Sequence, residues 1–390
     1  MNEALREMRE VPLLDLTLEY EYMKKDIDQA LERCLLHQKW ILGPEVKELE
    51  EAIADYVGAR HCIGVSSGTE ALVLALRAHA IKTTGKEYFD RDDEIITTPF
   101  TFTATGDAIL RAGATPVFID IEPESFNIDA DKVREYVESG HSKVKGIIPV
   151  HLYGKPCEMH EILSIAREHG LFVLEDAAQA FGGMYARRKL GSLGHAGAFS
   201  FFPSKNLGGF GDGGMVAVDD PETASLVRML MKHGGRDKYN VDHIAYNARL
   251  DTIQAAVLLA KLKYVDEFNA LRRNAASFYQ AGLDGMEQVS LPGPDPEDYH
   301  VYHQYTIRVK NGERDGLQRY LVENGISTMV YYPVPLHKMK VFEGRCRMPE
   351  PPVHSERAVE EVLSLPIEPL MKRTDAEYVV ERIRSFFLKG

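Results

Sequence analysis

The chain has 390 residues, 44% of them hydrophobic and 27% charged, which excludes the disordered and fibrous classes and allows a large core. Its net charge of −13 denies it the basic footprint that general binding to nucleic acid or to an anionic membrane requires. No run approaches the ~20 apolar residues of a membrane span, and the opening MNEALREMREV has no apolar core to serve as a signal peptide. Cys34, Cys62, Cys157 and Cys346 form no CxxC pair, so neither a disulfide framework nor a structural zinc site is expected. A cytoplasmic protein follows as the expectation.

Taken in chain order, residues 22–37 place Ile27, Ala30, Leu31, Cys34 and Leu35 on one helical face, and Gly43-Pro44 breaks the chain. A second amphipathic helix over 45–57 runs through Val46, Leu49, Ile53 and Tyr56, with Gly58 as its stop. Short apolar runs then alternate with helical segments to about residue 220. CIGVSS, DEIITTP, ATPVFIDI, KGIIPVHL and LFVLEDAA are the strand candidates. Runs apolar on both faces suit a mostly parallel sheet covered by helices. The polar stretch 81–94 reads as an exposed loop. AGAFSFF and GGMVAVDD add two strands around a Gly-rich loop, and 251–282 reads as one long bridging helix. Strand HQYTIRV, helix GLQRYLVENG, strand STMVYY and a helix over 374–388 follow. The predicted fold is α/β, with a large domain over 1–250 and a bridging helix plus small α+β domain over 251–390.

Four segments carry chemistry. In SSGTEAL, Ser67, Gly68 and Thr69 stand between a strand and a helix. Free N–H groups and the helix dipole there suit an anion such as phosphate, and an ordinary N-cap is the plainer alternative. LFVLEDAA ends on Glu175-Asp176, where a carboxylate at a parallel strand's carboxyl end would need a cationic partner such as a protonated heterocycle, or a salt bridge. SFFPSKNLGGFGDGGMV carries Lys205 behind an apolar strand. Burial there would depress the amine's pKa and make it a nucleophile toward aldehydes, whereas most loop lysines are merely solvated. Gly209, Gly211 and Gly214 spell GxGxxG but precede a strand rather than a helix, so no dinucleotide site follows. TPFTFTAT offers Phe100 and Phe102, either of which can stack on a planar ring or pack in the core. His151, His160 and His169 match no metal-ligand spacing, so no metal site is expected. An anion cradle, a ring-stacking aromatic, a strand-end Asp and a lysine, in that order, are the equipment for pyridoxal phosphate.

These motifs, with WILGPEVKELE, IIPVHLYG, EDAAQAFGG, KHGGRDKY, YNARLDTIQAAVLLAKL, YYPVPLH and SLPIEP, make the sequence resemble the StrS/DegT family of sugar aminotransferases over roughly residues 12–388. The resemblance implies the aspartate-aminotransferase fold (fold type I of pyridoxal phosphate enzymes) and a homodimer with shared active sites. It implies Lys205 as the Schiff-base lysine, Asp176 at the pyridine nitrogen, Gln179 near the ring, and Phe102 stacked on it. Gly68, Thr69 and Ser200 would bind the phosphate, with Asn247 reaching it from the other subunit. Arg249 would lie at the shared interface. His233, Arg236 and Arg249 are candidates to offset the net negative charge where a nucleotide binds, and Tyr331 belongs with substrate recognition.

The implied reaction passes the amino group of L-glutamate, through pyridoxamine phosphate, to a nucleotide-linked keto sugar for polysaccharide, lipopolysaccharide or glycoconjugate synthesis. The GDGG loop, RLDTIQAA and HVYHQYTIRV resemble members that aminate 3-keto sugars, including UDP-linked N-acetylated uronic acids; a 4-keto-6-deoxy substrate is the alternative. Asp212 stands in GDGG where many members have EGG, and Tyr331 stands where some have histidine. A sugar dehydratase of the same fold would replace the lysine, which is present here. A non-catalytic regulator is the competing reading from another class.

Overall fold

Buried apolar runs separated by one-sided helices favour a parallel sheet covered on both faces. The computed structural model, which describes residues 9–140, 142–235, 237, 239–293 and 299–388, has that arrangement. Helices α1 (Leu16–His37) and α2 (Pro44–Val57) precede β1 (His61–Val65). Then α3 (Gly68–Thr84), β2 (Glu94–Thr97), α4 (Thr103–Arg111), β3 (Thr115–Phe118), α5 (Ala130–Glu138), β4 (Val144–Ile147), α6 (Met159–His169) and β5 (Phe172–Asp176) alternate. A short hairpin, β6 (Met184–Tyr185) and β7 (Arg188–Lys189), leads to β8 (Ala196–Ser200), β9 (Gly214–Val218) and α7 (Pro221–Leu230). The seven-stranded sheet runs β1-β9-β8-β5-β4-β2-β3, and β9 alone is antiparallel to its neighbours. Every residue of β2, β5 and β9 is buried, as strands covered on both faces require.

Helix α3 is the axle of this core. Ala71 to Ala78 are buried in unbroken succession, and a helix apolar all round must lie inside. It packs on α4, α7, β8 and β9. The succession includes Arg77, whose guanidinium bonds Glu87 Oε2 (2.9 Å), the Ile244 carbonyl (2.9 Å) and the Tyr246 hydroxyl (3.0 Å). That pairing revises the reading of 81–94. Ile81 to Thr84 continue α3, Phe89 is buried, and Glu87 anchors the turn to the core rather than trailing in solvent.

The C-terminal part holds α8 (Thr252–Leu262), α9 (Val265–Leu283), β10 (Val289–Ser290), β11 (Tyr305–Val309), α10 (Arg314–Glu323), α11 (Val353–Glu361), β12 (Val362–Leu365) and α12 (Arg373–Leu388). The long helix expected over 251–282 is therefore two. It breaks at Lys263 and Tyr264, whose side chains both bond Asp26 of α1 at 3.3 and 2.9 Å, so that α8 lies on α1 and α2 while α9 turns to α12. STMVYY forms no strand. Met329 bridges Ser364 once, and Val330, Tyr331 and Tyr332 leave the sheet to pack against Phe100, Val150 and Tyr153. The third strand of the small sheet is β12 instead. Leu35 also departs from expectation, because Ile27 and Cys34 are buried while Leu35 and Leu36 are exposed. Tyr279, Tyr305, Leu317, Leu363 and Ile383 fill a second core around β10-β11-β12, which the N-terminal segment joins through a bridge from Val11 to Ile326.

Candidate active site

The carboxyl ends of β1, β2, β5 and β8 open on the same side of the sheet, where α/β proteins bind ligands. A cavity of about 460 Å³ lies there. It gathers Gly68, Thr69, Phe102, Asp176, Gln179, Ser200, Lys205 and Tyr331, so eight of the predicted site residues share one space.

At the end of β1, both readings of SSGTEAL hold. The Ser67 hydroxyl accepts from Glu70 N–H (3.1 Å) as an N-cap, and the Ser67 carbonyl takes Ala71 N–H. The N–H groups of Gly68 and Thr69 have no acceptor within the helix, and α3's dipole adds positive character at the same point. Glycine is required by crowding rather than by backbone angle. A Cβ on Gly68 would lie 2.7 Å from Ser200 Cβ, and one on Gly214 would lie 2.4 Å from the Ser67 carbonyl carbon. Gly68→Ala is thus expected to destabilise the fold by about 1–3 kcal/mol through overpacking. It should also weaken binding of pyridoxal phosphate at least about tenfold, read by thermal melting and by titration of the protein.

Glu175 and Asp176 point to opposite faces of β5, as successive strand residues must. Glu175 is wholly structural: Oε1 accepts from the N–H groups of Leu193 (2.6 Å) and Gly194 (2.7 Å), and Oε2 from Gly191 N–H (2.8 Å). His151 completes its shell. Its Nδ1 accepts from Cys157 N–H (3.1 Å), so Nε2 carries the proton and donates to Glu175 Oε2 at 3.0 Å. Asp176 faces the cavity. Its Oδ2 accepts from the Thr105 hydroxyl (2.8 Å) and its Oδ1 from Ala178 N–H (3.2 Å). Burial pushes its pKa up, opposed by those two bonds and by Lys205.

Lys205 follows β8 in a tight turn, its N–H bonding the Phe202 carbonyl at 2.8 Å. Enclosure of the amine lowers its pKa to about 8 against the pull of Asp176. The next residue ties this turn to the C-terminal part, since Asn206 Nδ2 donates to Asn269 Oδ1 (2.7 Å) and to the Val301 carbonyl (3.0 Å). The glycines after it are again demanded by close approach. A Cβ on Gly208 would meet the Pro203 carbonyl at 2.3 Å.

The two phenylalanines separate cleanly. Phe100 is fully buried among Phe126, Val150 and Tyr153, and Phe102 is 55% exposed toward the cavity, its ring 6.1 Å from that of Tyr332. Gln179 is pinned at both ends. Its Oε1 accepts from Tyr153 N–H (2.6 Å) and its Nε2 donates to the Tyr332 hydroxyl (2.9 Å).

Asn247, Arg249 and His233 do not line this chain's cavity. They flank the free edge of β1 just outside it: Arg249 bridges Val65, Asn247 bridges Lys232 and is exposed, and Arg249 Nη1 lies 3.4 Å from His233 Nε2. Arg236 lies outside the described residues. Thr101, Thr105, Ser204, His303, Gln304 and Tyr332 also line the cavity, beyond the residues singled out from sequence. Thr105 sits inside TPFTFTAT, and a buried strand-end carboxylate always needs a donor, so a nearby hydroxyl was the available signal.

Residues 21–384 match the DegT/DnrJ/EryC1/StrS aminotransferase family. The chain belongs to that family. Among its relatives, the pleiotropic regulatory protein of Geobacillus stearothermophilus is 45% identical over 97% of this chain and 98% of that protein. The UDP-N-acetyl-3-dehydro-alpha-D-glucosamine 3-aminotransferase of Acidithiobacillus ferrooxidans is 38% identical over 96% and 97%. A solved structure of Streptomyces venezuelae DesV in complex with a ketimine intermediate superposes with a TM-score of 0.90 at 37% identity, covering 97% of this chain and 98% of that one. The protein is accordingly an aminotransferase that depends on pyridoxal phosphate.

The cavity fits that cofactor on its own chemistry. It offers an enclosed amine of lowered pKa, a buried carboxylate already held by two donors, a cradle where a single Cβ would collide, and an exposed aromatic face. Among the described residues, no helix is long and apolar enough to cross a membrane.

Proposed function

We propose that this aminotransferase moves the amino group of L-glutamate onto carbon 3 of a nucleotide-linked keto sugar; the name of the Acidithiobacillus relative supports the position on the sugar. The observation that carries the reading is the enclosure of Lys205, Asp176 and the Gly68–Thr69 helix start in one cavity. The product would be an amino sugar for polysaccharide or glycoconjugate synthesis.

When bound, pyridoxal phosphate supplies the electron sink and carries the amino group between the two substrates. Gly68, Thr69 and Ser200 would bind its phosphate, and Phe102 would cover its ring. Asp176 would keep a proton on the ring nitrogen, and Gln179 would lie near the ring. Lys205 Nζ would anchor the cofactor. Once displaced, it takes the proton from the carbon that carries the donor's nitrogen and later delivers one to the sugar carbon. A pKa near 8 lets the amine serve as base and acid at neutral pH.

In this reading the nucleotide would extend past the mouth of the cavity. Arg249 and His233, at the edge of β1 outside the cavity, would meet it, with Tyr331 at the sugar and Asn247 reaching a second copy's phosphate site. A homodimer is further supported by the exposed apolar stretch of Leu35, Leu36, Trp40, Ile41 and Leu42, because a surface of that kind calls for a partner. The Geobacillus relative's name describes regulation, and conversion of the loaded protein by an amine donor separates that reading from turnover.

The experiment is a visible absorbance titration of the loaded protein. L-Glutamate should convert the cofactor band to that of the pyridoxamine form, and a UDP-linked 3-keto N-acetylglucosamine should restore it with an amino sugar released. No response to L-glutamate would end the donor assignment. Restoration by 4-keto sugars alone would move the reaction to carbon 4.

A further inference from the structure

Two threonine hydroxyls at the start of α4 are buried with their residues, Thr101 at 2% exposed and Thr105 at 1%. No side chain caps that helix, because Phe102 stands at the N-cap and brings no oxygen. The Thr105 hydroxyl reaches across to β5 instead, 2.8 Å from Asp176 Oδ2, and Thr101 Oγ1 lies 3.3 Å from Thr105 Oγ1.

Proton count fixes the direction of these bonds. An ionised carboxylate only accepts, so Thr105 gives its single proton to Asp176, and the bond between the hydroxyls then requires Thr101 as its donor. Thr101, Thr105 and Asp176 thus form a relay in which every hydrogen bond runs toward the carboxylate. Bonds in such a chain polarise one another, and a donor aimed at a charged group favours its charged form.

Asp176 needs that support. It is 5% exposed, and burial favours the neutral acid. Its other donor, the Ala178 N–H, is more distant at 3.2 Å. Among its titratable neighbours, Lys205 is the cation, and His151 is neutral through its bonds to Cys157 N–H and Glu175. Tyr332 and Cys157 are kept protonated by burial, and Glu175 points to the opposite face of the strand. Among the described residues, Thr105 is the one side-chain donor to the carboxylate.

We propose that Thr101 and Thr105 are positioning residues that hold Asp176 ionised, so that a proton shared with the ring nitrogen of bound pyridoxal phosphate rests on the nitrogen and not on the carboxylate. The proposal rests on the assignment of Asp176 to that nitrogen made above. It divides the work: Asp176 supplies the charge, and the two hydroxyls keep it there.

The first measurement needs no cofactor. In full-length protein with isotopically labelled aspartate carboxyls, the Asp176 resonance is the one lost in Asp176→Asn. Its titration midpoint should rise by at least about one pH unit in Thr105→Val, and by less in Thr101→Val. Thr105→Ser, which keeps the hydroxyl and drops the methyl, should return the midpoint to the wild-type value. Thr105→Ala replaces the valine variant should valine disturb the packing of α4. An unmoved midpoint without the Thr105 hydroxyl overturns the proposal. A midpoint as high in Thr105→Ser as in Thr105→Val does the same, because shape rather than the hydroxyl would then matter.

The second measurement uses protein loaded with pyridoxal phosphate labelled at its ring nitrogen. The nitrogen resonance should stand at the protonated position in wild type and Thr105→Ser, and should move toward the unprotonated one in Thr105→Val and Asp176→Asn. Movement in Asp176→Asn without movement in Thr105→Val overturns the part given to the threonines. A resonance that Asp176→Asn leaves in place ends the assignment of Asp176 to the ring nitrogen, and the proposal with it.

Discussion

Lys205→Ala is expected to lower amine transfer from L-glutamate by more than about a thousandfold, because it deletes both the nucleophile and the only proton carrier assigned to the reaction. The fold should survive. The side chain sits in a cavity rather than in packed core, and the turn is held by the Phe202 carbonyl and by Asn206, neither of which the substitution touches. The wild-type amine also sets two pH dependences. Only its neutral form attacks an aldehyde, so the rate at which cofactor-free protein captures pyridoxal phosphate should rise with pH through a midpoint of about 8. Between about 8 and 10.5 the unfolded chain holds a proton on this lysine that the folded chain has released. Stability of the cofactor-free wild type should therefore climb with pH across that window. Lys205→Ala should lack this climb and should melt higher than wild type below pH 8, having lost a cation that is costly to enclose. Capture kinetics and paired melting curves check both. A flat capture profile would mean that the amine is not buried as its surroundings indicate.

Asp176→Asn should reduce the same half-reaction by about 10²–10⁴-fold, the range that positioned proton chemistry contributes. The substitution keeps shape and volume, and the amide oxygen can still accept from Thr105 or Ala178. What disappears is the negative charge, and a neutral amide cannot hold a proton on a pyridine nitrogen. Cofactor capture by Lys205 should continue, so that binding and turnover part company in this variant. Single-turnover absorbance with L-glutamate measures the rate, and a value within threefold of wild type would dissociate Asp176 from the ring nitrogen.

The reach of the sequence was uneven for physical reasons. Strands such as IIPV and FVLED were legible because burial on both faces leaves a continuous apolar signature, and α2 was legible through Gly43, Pro44 and Gly58 at its ends. The break between α8 and α9 was not, since the Asp26 that holds Lys263 and Tyr264 lies over two hundred residues away. STMVYY carries every local mark of a strand, yet its last three residues gain more from aromatic packing with Phe100 and Tyr153 than from a ladder. At the site, Lys205, Asp176 and the Gly68 helix start could be read from motif order. Thr101, Ser204, His303, Gln304 and Tyr332 could not, because they come together only once the walls of the cavity are in place.

Those walls come from remote parts of the chain. The cavity is lined by residues as far apart as Ser67 and Tyr332, and Asn206 locks the lysine turn to Asn269 and Val301. Contacts of such sequence separation form late and slowly, after the loop entropy between them has been overcome. During synthesis, the residues up to about Val218 can assemble the large sheet before the C-terminal wall of the cavity has been made. The cavity around the Lys205 amine, whose pKa is about 8 in the folded chain, is complete only when His303, Gln304, Tyr331 and Tyr332 have joined it.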